Sequence, residues 1–346
     1  MRALRMTAWQ TEPELTEIPV PEPGPGEVLI KVAGAGACHS DLHVMEWPEG
    51  TLPYRLPFTL GHETAGWVEA LGPGVDRPQP GEAVIVYGPW GCGWCHQCAQ
   101  GAENYCQRAS ELPYAGGGLG ADGGMAEYLL VPSPRLLVPL GDLDPRPAAA
   151  LADAALTPYH AIKKSLPRLR PGSTAVVIGV GGLGHAAVQL LRELSPATVI
   201  AVDVAADKLR LAEEAGAHHA LPSGDETAPE IRKLTGGQGA ALVLDCVGAD
   251  PTMAIAAAAA AVDSDVAVVG LAGGTLPLRY GALAWDASIR IPYWGTRTEL
   301  MEVVALAAAG RLNLHVETFP LDQALEVYRK LRAGEVAGRA VLLPHG

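Results

Sequence analysis

TAVVIGVGGLGHAAVQLLRELSPATVIAVD, residues 174–203, is the stretch on which the reading of this chain turns. Thr174–Ile178 is an apolar run of strand length, GVGGLG follows at once from Gly179 to Gly184, and Leu183–Leu194 has the spacing of an amphipathic helix. A second apolar run, Thr198–Val202, ends in Asp203. A lone G-x-G-x-x-G is a weak signal, because glycines gather in many turns. Between a strand and a helix start it has a mechanism. Gly179 permits the tight turn, Gly181 lets the backbone approach a pyrophosphate, and Gly184 allows the helix to pack closely on the strand. The free N–H groups at the helix start, from Gly182 and Leu183 onward, are then placed to receive phosphates. Asp203 stands where a carboxylate accepts hydrogen bonds from ribose hydroxyls and repels a 2′-phosphate. Val204, Ala205 and Ala206 follow with no arginine, so NAD is expected; Lys208 and Arg210 further along leave some NADP use open. The competing reading, a structural turn beside an exposed Asp, needs all these elements to coincide by chance.

Outward from this unit, further runs at Leu242–Cys246 and Val266–Gly270 continue the strand–helix rhythm, which predicts a doubly wound parallel α/β sheet over 147–285. The alanine-rich segment Ala254–Val262 reads as a packed helix, too short for a membrane span. Residues 1–146 differ: Gly, Pro and short runs such as Glu27–Val32 and Glu82–Val86 predict an irregular β-rich domain. After 286 come a helical stretch, Glu299–Ala309, and a tail ending in Arg339–Leu343, expected to rejoin 1–146 in one domain. A chain of 346 residues suits two domains. A net charge of −13 without any Lys/Arg run argues against a nucleic-acid partner. The opening residues, MRALRMTAWQTEPELTEI, hold no apolar signal-peptide core, so no membrane association and a cytoplasmic location are expected. In that compartment thiols stay reduced, and clustered cysteines more often hold metal than pair.

Cys92, Cys95, Cys98 and Cys106 form C-x2-C-x2-C-x7-C in a Gly-rich loop. Four thiolates close a tetrahedral shell around Zn²⁺ with no open position, which is a structural site. An iron–sulfur cluster is the alternative, but the proline that follows the last cysteine in ferredoxin runs is absent. His96 reads as a solvated neighbour. Elsewhere, CHSDLH (Cys38–His43) and GHE (Gly61–Glu63) offer further ligand types, although each alone is more often a packed thiol or an ordinary imidazole.

CHSDLH, GHETAGWV from Gly61, the four-cysteine loop, GVGGLG with Asp203, and Gly338–Arg339 together resemble the zinc-containing medium-chain alcohol dehydrogenase family over essentially the whole chain. The resemblance implies a GroES-like catalytic domain built from both ends of the chain and a Rossmann domain in the middle. It implies two Zn²⁺ per chain and NAD as cofactor. The catalytic zinc falls on Cys38 and His62, with Glu63 as a nearby carboxylate or transient ligand. Many relatives supply a third ligand as Cys in a segment like LADAALTPYHA (Leu151–Ala161); here that position is Asp153, as in a smaller bacterial set. The alternative is a helix-cap Asp153 and a zinc held by Cys38, His62 and Glu63.

Lewis-acid catalysis follows from the resemblance, with Ser40 passing the alcohol proton toward His43 and hydride going to nicotinamide. His43 as a solvated loop histidine is the competing reading. His39 and Arg339 match positions that contact the cofactor pyrophosphate. Tyr54, Tyr293 and Trp294 match walls of the substrate pocket, which favours secondary or aryl alcohols and their ketones. A homotetramer, or a dimer joined through the Rossmann sheets, is the expected assembly. Rival readings are a polyol or threonine dehydrogenase, a zinc-free quinone reductase, and a non-catalytic NAD-binding sensor.

Overall fold

The computed structural model describes all 346 residues and divides the chain into two compact units: Met1–Leu156 with Thr296–Gly346, and Thr157–Gly295. Both boundaries lie further along the chain than composition suggested. Residues 147–156 go with the first unit because their small side chains lie flat on its central strand. At Gly34 of that strand a Cβ would come within 2.4 Å of the Arg146 carbonyl oxygen. Residues 286–295 go with the second because Ser288–Arg290 pairs parallel with Ala260–Val268.

The second unit is a six-stranded parallel sheet in the order His219–Pro222, Thr198–Asp203, Thr174–Ile178, Ala240–Asp245, Ala260–Val268, Ser288–Arg290. Its central strand Thr174–Ile178 is buried throughout, as a predominantly apolar run covered on both faces should be. That strand pairs with Thr198–Asp203 on one side and Ala240–Asp245 on the other, so the chain order reverses there. Ligands of such sheets bind outside the carboxyl ends of the strands at this switch point. Gly179 sits at that end with φ +86°, a conformation few other residues adopt, and its N–H bonds the Val202 carbonyl at 2.8 Å. The helix Gly182–Leu194 starts immediately beyond. The alanine-rich segment is not helical throughout. The helix Asp250–Ala259 stops and the strand begins at Ala260, whose extended ψ of 134° turns the chain into the sheet. Alanine tolerates either state, so pairing with Ala240–Asp245 decides it.

In the first unit the strand Val28–Ala37 is the axis. It pairs antiparallel with Glu63–Leu71 on one side and with Arg339–Leu343 on the other, and its first residues also pair with Tyr128–Val131. The tail therefore completes the first unit's sheet, with Val316–Pro320 parallel beside it. Ala83–Val86 and Leu137–Pro139 extend the opposite edge. A smaller sheet places Arg2–Met6 between Glu14–Glu17 and Phe58–Thr59.

Two glycines of the GVGGLG turn separate packing from ligand space. A Cβ on Gly184 would lie 1.9 Å from the Gly179 carbonyl oxygen, whereas one on Gly181 would meet no atom within 4 Å. Gly184→Ala should thus lower the stability of the ligand-free protein by about 1–3 kcal/mol. Gly181→Ala should leave the melting temperature nearly unchanged and weaken NADH binding. Calorimetry and fluorescence titration of both variants check this; equal melting losses would overturn the distinction.

Candidate active site

Register in the first unit's sheet brings the ligand-type residues to one end. Gly36 pairs with Glu63 and Ala37 with Ala340, so Cys38, His62 and Arg339 all lie one residue beyond a paired position. Asp153 arrives from another direction, after the fully buried run Ala149–Ala152 packs against the same sheet. Small residues make this convergence possible. A Cβ on Gly36 would fall 1.9 Å from Glu63 Oε2.

Cys38, His62, Glu63 and Asp153 each offer one ligand atom, and these atoms all lie within 4.8 Å of one another. Asp153 Oδ2 is 3.6 Å from Cys38 Sγ and 3.9 Å from His62 Nε2. Its carboxylate is thus turned into the cluster. Arg339, only 3% exposed, closes the group: its Nε is 3.0 Å from Glu63 Oε2 and its Nη2 3.1 Å from Asp153 Oδ2, with a further close contact to Glu63 Oε1. Removing such charges from water costs several kcal/mol each, so every one of them needs a partner.

The cluster's ionisation follows from burial and neighbours. Burial pushes the Glu63 carboxyl up to about 7, against the opposing pull of Arg339. For His62 burial disfavours the charged ring, yet the Asp41 carboxylate and the hydrogen bonds the ring donates to Asp153, Asp41 and Cys38 hold it well above the usual histidine range. A divalent cation in the cluster takes the place of that proton, and thiolate, imidazole and carboxylate are a donor set zinc accepts. The residues fit the ion.

Asp41, inside CHSDLH, is a further member of the site that its sequence context does not mark. It is fully buried; its Oδ1 accepts from His62 Nδ1 at 3.0 Å, and its Oδ2 accepts from the Cys38 N–H at 2.9 Å and the Tyr328 O–H at 3.1 Å. This fixes the ring orientation, so that Nε2 faces the cluster and can bind a cation that displaces its proton. Nothing in the sequence signals Tyr328, which stands 287 positions away on the helix Ala324–Ala333. Ser40 Oγ is 3.3 Å from His62 Nε2. His43 lies three residues on in the helix His39–Glu46, half-buried and stacked on Trp47 at 6.1 Å, and so is not a loop residue. His39 is exposed at the helix start.

The four cysteines form the second cluster, their sulfurs also within 4.8 Å of one another. Cys95 and Cys98 Sγ are 3.5 Å apart, and the Cys92 N–H donates to Cys106 Sγ at 3.3 Å. The Cys98 backbone N–H lowers the Cys95 thiol to about 6, a start toward the thiolate that metal requires. His96 is exposed and faces Gln100, outside the sulfur shell.

In the second unit Asp203 closes the glycine turn: Oδ2 accepts from the Val180 N–H at 2.7 Å and Oδ1 from the Ala205 N–H at 3.0 Å. Each oxygen keeps a further lone pair for a ribose hydroxyl. Gly182 and Leu183 open the following helix, partly exposed, while Lys208 is buried on the helix Ala206–Glu214. Tyr293 is exposed and Trp294 buried, rings 6.0 Å apart, and Trp294 holds a left-handed φ of 54°. Tyr54, in the first unit, borders an open groove of about 730 Å³ with Trp9, Glu49, Arg55 and Leu56.

Residues 24–142 match the family model of the alcohol dehydrogenase GroES-like domain, and residues 182–309 that of the zinc-binding dehydrogenase. An NAD-dependent alcohol dehydrogenase of Sulfurisphaera tokodaii is 36% identical, over 99% of this chain and all of the relative. A D-arabinose 1-dehydrogenase (NADP(+)) of Saccharolobus solfataricus is 33% identical over 95% and 94% of the two chains. Acetophenone reductase from Geotrichum candidum, solved with NAD, superposes with a TM-score of 0.86 at 31% identity, covering 99% of this chain and 96% of that one.

Asp153→Ala should bind about one zinc per chain in place of two, keep the four-cysteine site, and lose at least about tenfold in turnover. Plasma emission spectrometry with steady-state kinetics decides it. Full metal content with near-normal turnover would remove Asp153 from the ligand set.

Proposed function

Because the chain belongs to the zinc-dependent medium-chain alcohol dehydrogenase family, we propose that Cys38, His62 and Asp153 hold a catalytic zinc and that the preferred substrates are secondary or aryl alcohols and their ketones. The chain is an NAD-dependent alcohol dehydrogenase. The observation that carries the site assignment is the buried cluster of thiol, imidazole and carboxylates within 4.8 Å, backed by Arg339.

Zinc supplies a Lewis acid that makes an alcohol proton acidic near neutral pH, and NAD supplies the hydride acceptor. This chain's residues do the remaining work. Glu63, paired to Arg339, stands by as the carboxylate closest to the ligand set, and Cys92, Cys95, Cys98 and Cys106 hold a structural zinc. Ser40, whose hydroxyl neighbours His62 Nε2, takes the alcohol proton in this reading, and His43 on the same helix face carries it toward solvent. Gly179, Gly181, Gly182, Leu183 and Gly184 receive the pyrophosphate; the family resemblance alone adds His39 and Arg339 as donors to it. Asp203 takes the ribose hydroxyls and sets the NAD preference, with Lys208 close to the same end of the sheet.

The substrate class rests on the family resemblance, which matches Tyr54, Tyr293 and Trp294 to residues of the substrate pocket. Aromatic walls offer little to the extra hydroxyls of a polyol, which lose water without gaining partners. A bulky residue held at positive φ, as Trp294 is, marks backbone strain of the kind found at functional sites. The similarity to acetophenone reductase points the same way. The similarity to a D-arabinose dehydrogenase supports the polyol reading with NADP as the alternative.

No helix is long and apolar enough to cross a membrane. A cytoplasmic location belongs to this proposal, as does a homotetramer built from dimers. Ser288–Arg290 is an edge strand, and Leu278, Tyr280, Trp285 and Ile291 near it in sequence are 60–87% exposed. An unpaired edge beside exposed apolar side chains suits a second copy of the chain.

Kinetics on 2-alkanols, 1-arylethanols, ethanol, sorbitol and arabinose should rank the first two highest, with NAD over NADP. Trp294→Ala should admit bulkier ketones and erode stereoselectivity. A polyol or sugar as the best substrate would overturn the substrate class and leave the zinc site standing. His43→Ala should depress alcohol oxidation most at low pH, where hydroxide cannot replace the relay; an unchanged pH profile removes His43 from it. Light scattering of Tyr280→Glu with Trp285→Glu should report a smaller species than the unmodified protein, and equal masses would exclude this edge as the interface.

A further inference from the structure

We propose that Tyr328 is a positioning residue for the catalytic metal site, acting through Asp41 on the imidazole of His62. The inference rests on the site assignment above and extends it to a helix with no metal ligand of its own.

Asp41 is a carboxylate with no exposure to water, so its charge survives only through directed donors. It has three: His62 Nδ1 on Oδ1, and the Cys38 N–H and Tyr328 O–H on Oδ2. These donors come from three separate parts of the chain. With two of them on Oδ2, the carboxylate plane is fixed and Oδ1 is reserved for His62. Without Tyr328 only one donor, the N–H of a residue three positions away, would orient Oδ2.

Tyr328 is 1% exposed, on the inward face of its helix with Ala324, Val327 and Leu331. A buried phenol needs a partner for its hydroxyl, and phenylalanine would fill the same space without that need. The hydroxyl lies 3.1 Å from Asp41 Oδ2 and 3.0 Å from Met125 Sδ. A carboxylate is a far stronger acceptor than a thioether, so the proton belongs to Asp41. Drawing charge onto that bond also moderates how strongly Asp41 pulls on the His62 ring proton. Tyr328 therefore sets both the orientation of the ring and the donor strength of the nitrogen that meets the metal.

The test uses the full-length protein loaded with Zn²⁺ or with Co²⁺, comparing wild type, Tyr328→Phe and Met125→Leu. Tyr328→Phe should release one of its two metals to a chelator about tenfold faster than wild type and leave the other phase unchanged. Its cobalt visible bands should shift in position or intensity. Met125→Leu, which keeps the bond to Asp41, should match wild type in both readouts. Tyr328→Phe with wild-type release and spectrum, equal acceleration of both release phases, or Met125→Leu reproducing the change would each overturn the inference in favour of packing. Wild type binding metal only at the four-cysteine lobe would instead overturn the site assignment itself.

Discussion

Arg339 lies between the carboxylates of Glu63 and Asp153 in a space that water barely reaches, and much of the first unit is arranged to make that placement possible. With Cys38, Glu63 and Asp153 deprotonated, three formal negative charges crowd one small volume. A lone divalent cation leaves one of them unbalanced; the guanidinium supplies the missing positive charge. Truncating one member of such a buried set typically costs about 3–5 kcal/mol, because the survivors stay buried without a counter-charge. The arginine is therefore part of the metal site even without touching the ion.

Close approach is the second condition. Gly36 leaves room for the Glu63 carboxylate, and the alanines before Asp153 let that segment lie directly on the sheet. The same economy governs the cofactor turn, where Gly184 allows the helix to reach the Gly179 carbonyl. In each unit a glycine stands where a Cβ would collide with a neighbouring oxygen atom. Cys38, His62, Arg339 and Asp203 lie at or beside strand ends, while the four cysteines sit in a loop.

These features were legible in the sequence to different degrees. GVGGLG with Asp203, and the four cysteines within one loop, act over short separations, so spacing alone carries their geometry. Cys38, His62 and Asp153 required the family resemblance, because their meeting depends on strand register and on a segment more than a hundred residues away. Asp41 stands inside CHSDLH, but a lone carboxylate there carries no signal of the burial and partners that define its role. Tyr328 had no local signal at all, since its role exists only once the tail has joined the sheet. Ala254–Val262 misled for a related reason: alanine fits helix and strand alike, and pairing with a neighbouring strand ends the helix at Ala259.

The first unit is discontinuous, and this orders events during synthesis. Thr157–Gly295 is one continuous segment and emerges whole before Thr296–Gly346 leaves the ribosome. At that moment Cys38, His62, Glu63 and Asp153 have all been made, but Val28–Ala37 still lacks Arg339–Leu343 as a neighbour. The nascent chain thus carries an unpaired strand edge and an unbalanced acidic cluster through the whole translation of the middle segment. Exposed edges of this kind recruit chaperones or misassociate. Metal capture by the four-cysteine loop, which needs only local sequence, can come early; the catalytic cluster must wait for the last strand.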